Sequence, residues 1–381
     1  MKKILLVTGK WPYKSEINDG GDATVSELIE ALEKDCLLDL LIIRDDIDTN
    51  TKIAGVHSIR MLSEDASCFN NYGKMEDSKF LKWIRIGQYV AEILRKCEAS
   101  YDQIIIHHIL FGTGLTPDDS SILQKTILMP MFTGMSYLQV GEYVPQVYLE
   151  TERRIIPYFW HILTPSNHEK RLLTENYAAS EKNIIVIPRP VKYAFAERKS
   201  VPICSMKLLY IGSVRKQKNH ADAVRMMHHL TARYPDAKLF CCGALQEKTL
   251  YEECQSLIAQ WNLNDNIIFL GNCSREELGQ IICNCDFNIS VSNGETFGRG
   301  IYEGMAAGLP TVVLKQLECV RTADTVSVQP VKAANYQDMA KKIITLIENP
   351  ADYLLESRKG IRLQEELSAE KIYAHIRQAV L

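Results

Sequence analysis

The chain of 381 residues contains no C-x-x-C pair, so its eleven cysteines supply neither a zinc framework nor the regular spacing of a disulfide scaffold. Cys283 and Cys285 lie close together, but no second pair accompanies them, and no metal site is expected. An odd, dispersed set of thiols points instead to a reducing, cytoplasmic compartment. No apolar run approaches the ~18 to 20 residues that a membrane span needs. The opening MKKILLVTGKW has too short an apolar part, and no small-residue cleavage site, to be a signal peptide, and it is expected to be a first strand. The formal net charge of −3 lacks the basic excess that a nucleic-acid partner requires. Internal repeats and low-complexity tracts are also absent. What remains is an ordinary globular composition, 46% hydrophobic and 24% charged, at a length that suggests about two domains.

The most informative stretch is SNGETFGRGIYEGMAAGLPTVV, from Ser292 to Val313. Alternating Phe287, Ile289 and Val291 predict a strand before it. Asn293-Gly294 predicts a tight turn, and Gly308-Leu309-Pro310 predicts a helix stop, since Gly just past a helix end takes the left-handed conformation and Pro cannot continue the helix. Seven residues separate Glu295, on the loop, from Glu303, about two turns into the helix. Between them lies a glycine-rich helix N-terminus, whose N–H groups and positive dipole end suit a phosphate. A carboxylate beside a phosphate site commonly accepts hydroxyl hydrogen bonds, as acidic residues do on ribose. The stretch therefore reads as a grip for a nucleotide-sugar: amides near Gly298 for the diphosphate, Glu303 for ribose, Glu295 for the sugar.

The pattern Glu295, Phe297-Gly298, Glu303, Met305-Ala306-Ala307-Gly308-Leu309-Pro310 resembles the retaining glycosyltransferases of family four. The resemblance implies an α/β chain of two facing Rossmann-like domains (the GT-B arrangement) with the donor cleft between them. It implies a hexosyl-type transfer, with retention, from a nucleotide diphosphate donor, UDP-sugar by preference, to a hydroxyl acceptor that is a glycan, a lipid-linked sugar or a small molecule. No cofactor and no metal are implied. The alternatives are a nucleotide-sugar epimerase on the same fold and a non-catalytic glycan-binding or scaffold partner of another transferase. Two intact carboxylates and Lys218 argue against the second of these.

Residues 207–218 carry the next part of the resemblance. A strand over Lys207–Ile211 is followed by GSVRKQK. In the family a glycine, an arginine and a lysine stand here, and both cations hold the diphosphate. Lys218 has the expected spacing, but Ser213 occupies the arginine position, and Arg215 is the candidate to replace it. The two cations are not equivalent, since Arg grips two oxygens where Lys is a point charge. Phe297, Gly298 and Arg299 complete the donor set. Glycine edges at Gly243 and Gly271 are expected near the base, read by backbone groups.

The N-terminal half is less explicit. A strand, a polar loop with Gly20-Gly21 and an apolar helical pattern form the first unit of a nucleotide-type fold. The resemblance gives Gly21 to the donor diphosphate. DQIIIHHIL predicts a strand over residues 102–110 with two histidines near its end, where ligands of open α/β sheets bind. The resemblance gives His107 to the sugar, with His108 as the fallback. Gly112-Thr113-Gly114 is a very weak dinucleotide signal, since Pro117 stands at the third glycine position. Asp45-Asp46-Ile47-Asp48 resembles the metal grip of the other major glycosyltransferase fold, which nothing else in the chain supports. Residues 78–97 predict an amphipathic helix with Phe80, Trp83, Ile84, Val90, Ala91 and Leu94 on one face, packed on the sheet or, for a lipid-linked acceptor, in peripheral contact with a membrane. Gly134 to Tyr148, with Met135, Tyr137, Gly141 and Tyr143, is a candidate acceptor region. Pro188-Arg189-Pro190 makes a stiff crossing, so the domains are expected at 1–188 (acceptor side) and 189–364 (donor side). Residues 365–381 are expected to form a helix returning to the first domain.

Overall fold

The computed structural model describes residues 1–11, 20–44, 52–62, 78–192, 206–317, 319 and 325–381. The acidic segment 45–48 lies outside them. The chain divides into two units, one of residues 1–187 with 372–381, the other of residues 188–371.

Unit 1 is built on seven strands: β1 (Lys2–Thr8), β2 (Cys36–Ile43), β3 (Ser58–Leu62), β4 (Gln103–His107), β5 (Thr126–Met129), β6 (His161–Thr164) and β7 (Ile184–Val186). Their order is β3-β2-β1-β4-β5-β6-β7, parallel throughout. A parallel sheet covered on both faces needs strands that are apolar on both sides, and every residue of β4 is buried. The helix Ser78–Cys97 forms over the expected span. Its Ile86, Val90, Ala91 and Leu94 enter the main core of the unit, and Phe80 enters a smaller cluster with Val144, Tyr148 and Leu149. Of the face considered for a membrane, Phe80, Val90, Ala91 and Leu94 are buried and Trp83 and Ile84 half-buried. Among the described residues no helix is long and apolar enough to cross a membrane.

Several local expectations are corrected. Strand β4 stops at His107, because His108 takes φ 96° and its Nδ1 accepts from Leu110 N at 3.1 Å, turning the chain into a short 3-10 segment, Ile109–Gly112. Gly20-Gly21 does not lie in a loop: the helix Gly20–Leu32 begins there, with Gly21 buried in its first turn. The candidate acceptor region folds as two helices, Gly134–Gln139 and Gln146–Ile155, with Tyr148 fully buried and Tyr143 exposed. Gly114 serves packing rather than a nucleotide. A Cβ there would lie 2.2 Å from Gly87 O and 2.3 Å from Gln88 Cα, so the backbone after β4 touches the helix Ser78–Cys97 directly.

Unit 2 repeats the plan with six strands: β8 (Lys207–Ile211), β9 (Lys238–Cys242), β10 (Ile267–Gly271), β11 (Phe287–Ser290), β12 (Thr311–Leu314) and β13 (Val331–Ala333). The order β10-β9-β8-β11-β12-β13 is again parallel throughout. Both sheets have the Rossmann order, in which the strand sequence reverses beside the first strand. The reversal lies between β1 and β4 in unit 1 and between β8 and β11 in unit 2. Two helices outside the expected set, Lys248–Gln260 and Pro350–Ile361, cover this sheet; the second opens on a proline at its first position, where the missing N–H costs nothing. The last helix, Ala369–Val380, buries Ile372, Ile376 and Val380, and Tyr373 donates to Glu30 Oε2 at 2.6 Å within unit 1.

Candidate functional site

The reversal point of unit 2 holds Lys218 and Glu295, two of the residues picked out in the sequence. Strand β8 ends at Ile211 and delivers Gly212 to Lys218; strand β11 ends at Ser290 and delivers Ser292 to Glu295. The loop after β8 is clamped to the neighbouring edge: Gly212 N donates to Cys242 O, and Val214 N to Ala244 O, both at 2.8 Å. Gly243 makes the clamp close, since a Cβ there would meet Gly212 C and O at 2.4 Å. The loop then tightens into the 3-10 turn Lys216–Lys218, and Asn219 takes φ 51° before the helix His220–Thr231.

Lys218 Nζ donates to Glu295 Oε1, and both side chains are only about an eighth exposed (13% and 12%). The lysine stem runs across Gly212, whose position would place a Cβ 3.1 Å from Lys218 Cδ. Ser292 Oγ donates to the same Glu295 oxygen at 2.8 Å. Tyr210 OH donates to Lys218 O and stands 3.1 Å from Ser292 Oγ. Gln217 ties the two loops together: its O accepts from Asn293 N at 2.8 Å, and its Nε2 donates to Gly294 O.

The helix Arg299–Ala306 follows. Gly298 caps it at φ 84°, and the helix sits close on the sheet because Gly300 and Gly304 have no side chain. A Cβ on Gly304 would lie 2.3 Å from Asn288 Nδ2. That amide donates to Gly300 O and Ile301 O at 3.1 and 3.3 Å, fixing the helix to β11. Phe297 is buried, its ring 4.6 Å from that of Tyr302. Glu303 is buried on the helix, two turns from Glu295, and Gly308 ends the segment at φ 72°, as expected.

Electrostatics separate the two cations from their surroundings. Arg215 has extended backbone just before the 3-10 turn, and its Nε is buried with no hydrogen-bond partner among the described residues. Its charge, with the Ser292 hydrogen bond, works against the burial and the Glu295 charge that drive the Tyr210 hydroxyl pKa up. Ser213 is half-buried beside it. His220 is pushed down to about 4 by burial and by the Lys218 charge, and so is neutral, its ring 4.7 Å from that of Tyr210.

Unit 1 has a different reversal point. Thr8, at the end of β1, meets His107, at the end of β4, through a 3.1 Å contact between Thr8 Oγ1 and His107 Nδ1, and both are buried. His108 is driven down to about 3 by burial and by the charges of Lys10 and Lys79. Gly21 lies in the same unit, as does His107; of the other predicted residues, Lys218 and Glu295 are in contact, and Ser213, Arg215, Phe297, Gly298, Arg299 and Glu303 stand on the loops and helix of unit 2 around them in sequence. Ser292, Tyr210, Gln217 and Asn288, which hold this candidate site by hydrogen bonds, were missed by the sequence reading. The serine three residues before Glu295 was the available signal; Tyr210 looked like one more apolar residue of a buried strand. Among the described residues no three His, Cys, Asp or Glu side chains are grouped to hold a metal.

The model of the family described as "Glycosyl transferases group 1" matches residues 198–363. Over these residues, less than half of its length, the chain is similar to the group 1 glycosyltransferases. An uncharacterized glycosyltransferase, YqgM, of Bacillus subtilis (strain 168) is 28% identical over 166 residues, covering 43% of this chain and 45% of the relative. The chain thus spans less than half the length of that curated relative. Among solved structures, the sucrose-phosphate synthase (tll1590) from Thermosynechococcus elongatus superposes with a TM-score of 0.78 at 18% identity, over 99% of this chain and 98% of that one. Anabaena Alr3699/HepE, in complex with UDP and glucose, gives 0.71 at 14% identity, over 100% and 99%. The fold of the chain is that of these proteins, which are of the GT-B class.

Proposed function

We propose that the chain is a retaining glycosyltransferase that moves a sugar from a nucleoside diphosphate donor to a hydroxyl acceptor. The observation that carries this reading is the Lys218–Glu295 pair at the reversal point of unit 2, where ligands of open α/β sheets bind. In the reaction the bond between the anomeric carbon and the donor phosphate oxygen breaks, and the acceptor oxygen bonds to the same face of that carbon. The acceptor proton passes to the departing phosphate oxygen, so no protein nucleophile is needed.

The diphosphate gains negative charge as it leaves. Fixed cations in a low-dielectric site stabilise that charge without reorganising. Lys218 supplies one cation, with N–H bonds left after its bond to Glu295. Arg215 supplies the second, in place of the arginine absent at Ser213, and its buried Nε is a donor that a phosphate oxygen would satisfy. The amides around Gly298 and Arg299, beside Phe297, receive the remaining phosphate oxygens. Glu303 holds the ribose hydroxyls and Glu295 a sugar hydroxyl. In unit 1, Gly21 is assigned to the diphosphate and His107 to the sugar. Uridine diphosphate is the first base to test, because the HepE complex was formed with UDP.

The test is transfer itself. The protein is incubated with UDP-glucose or GDP-mannose and a panel of hydroxyl acceptors, and the product's anomeric configuration is read by NMR. An axial donor should give an axial product, at the same rate with a chelator present. An inverted product, or activity lost to chelator and restored by a divalent ion, would contradict the reading.

A further inference from the structure

The Tyr210–Ser292 pair carries an inference that rests on the donor-site reading and goes beyond it. Both Lys218 Nζ and Ser292 Oγ donate to one oxygen of Glu295, Oε1. Among the described residues nothing donates to Oε2. A carboxylate oxygen already holding two donors is the poorer acceptor for a third, so Oε2 is the oxygen presented to a ligand hydroxyl. The side chain cannot exchange the two oxygens freely, because rotating it would break a charge-assisted bond to Lys218 and the bond from Ser292 together.

The proton inventory gives Ser292 a second position. Tyr210 and Ser292 each own one hydroxyl proton. Tyr210 spends its proton on Lys218 O, and Ser292 spends its own on Glu295 Oε1. The 3.1 Å approach of the two hydroxyl oxygens is therefore an unfilled link, three contacts shared by two protons. Ser292 is fully buried, so it has no water to turn to. Its only alternative acceptor in this network is Tyr210 O. When Glu295 is drawn towards a sugar hydroxyl, Ser292 can turn its proton to Tyr210 without leaving any buried donor unpaired.

We infer that Ser292 is a positioning residue that fixes Oε1 of Glu295 and so presents Oε2 to a hydroxyl of the donor sugar, with Tyr210 as its alternative acceptor. The consequence is specific to the sugar. A nucleoside diphosphate lacks the group that Glu295 would meet, so its affinity should not depend on Ser292. A sugar nucleotide has that group, and its affinity should.

The experiment is isothermal titration of the full chain with UDP and UDP-glucose, and with GDP and GDP-mannose, for wild type, Ser292→Ala and Tyr210→Phe. Loss of one hydrogen bond to a charged group corresponds to roughly a tenfold change in affinity. For Ser292→Ala the inference predicts about a tenfold loss for the sugar nucleotide with the bare diphosphate within about twofold. Tyr210→Phe, which keeps the ring that packs on His220, should show a smaller loss of the same kind. Equal effects on diphosphate and sugar nucleotide, or no effect on either, would overturn the positioning role while leaving the donor site in place. A wild type that binds none of the four would overturn the donor-site reading, and the inference with it.

Discussion

The two reversal points of this chain stand at the same place in two sheets of the same strand order, yet they are built from opposite chemistry. In unit 2, Lys218 and Glu295 bridge the ends of β8 and β11 with opposite charges, part-buried and held by Ser292 and Tyr210. In unit 1, Thr8 and His107 bridge the ends of β1 and β4 through one contact between buried groups. Fold alone therefore does not make a phosphate site. The sheet offers the same cradle twice, and only the side chains delivered to it decide whether the cradle can stabilise a developing negative charge.

That contrast can be broken by removing charge from one side and packing from the other. The largest effect should follow Lys218→Ala. Taking one fixed cation from the leaving diphosphate should cost on the order of a hundredfold or more in transfer rate. Because removal also leaves the part-buried Glu295 without its cation, the thermal midpoint must be recorded alongside. A variant that keeps wild-type turnover would remove the charged bridge from the account.

In unit 1 the sensitive point is backbone contact. Gly114→Ala would force a Cβ to 2.2 Å from Gly87 O. Backbone on both sides cannot yield as a flexible side chain would, so a destabilisation of roughly 3 kcal/mol is expected, lowering the melting midpoint by roughly 6–12 °C. An unchanged midpoint would mean that the helix Ser78–Cys97 shifts freely on the sheet.

The smallest effect concerns pH. Glu152 is fully buried in unit 1, where Tyr177 OH and Gly134 N donate to it at 2.7 and 2.9 Å. Burial outweighs those bonds and pushes its carboxyl up to about 7 from 4.5. A raised folded pKa means the stabilising contribution is full below 4.5 and is lost as pH rises through about 7. Glu152→Gln has no proton to lose. Its melting midpoint should therefore fall less than that of wild type between pH 5 and 8, as melts across about that range would register. Parallel curves would show that Glu152 does not titrate there.

The contrast also explains what could be read in the sequence. Unit 2 was legible because its chemistry lies in side chains at fixed spacing: Glu295, Glu303 and Lys218 are informative residue types wherever they stand. The left-handed Gly308 was legible for a similar reason, since helix stops leave a composition trace. Unit 1 was less so. The end of β4 is set by the backbone of His108, and no residue preference announces a histidine at φ 96°. Gly20-Gly21 read as a loop because glycine is a poor helix former, whereas here it opens the helix. Gly112-Thr113-Gly114 carried a glycine spacing whose reasons are close approach to Phe159 and to Gly87, partners distant in sequence. Ser292 and Tyr210 stayed hidden because short polar side chains and strand aromatics gain meaning only from what they face.

The most direct test of the central claim, that the reversal point of unit 2 holds a nucleotide-sugar donor, is a thermal-shift series with uridine, guanosine, adenosine and thymidine diphosphates on wild type and Glu303→Ala. A ligand at about a hundredfold its dissociation constant adds roughly 2.7 kcal/mol, enough to raise the midpoint by several degrees. The account predicts such a rise for one nucleotide in wild type and its loss in the variant. No rise with any nucleotide, or an equal rise in both proteins, would contradict it.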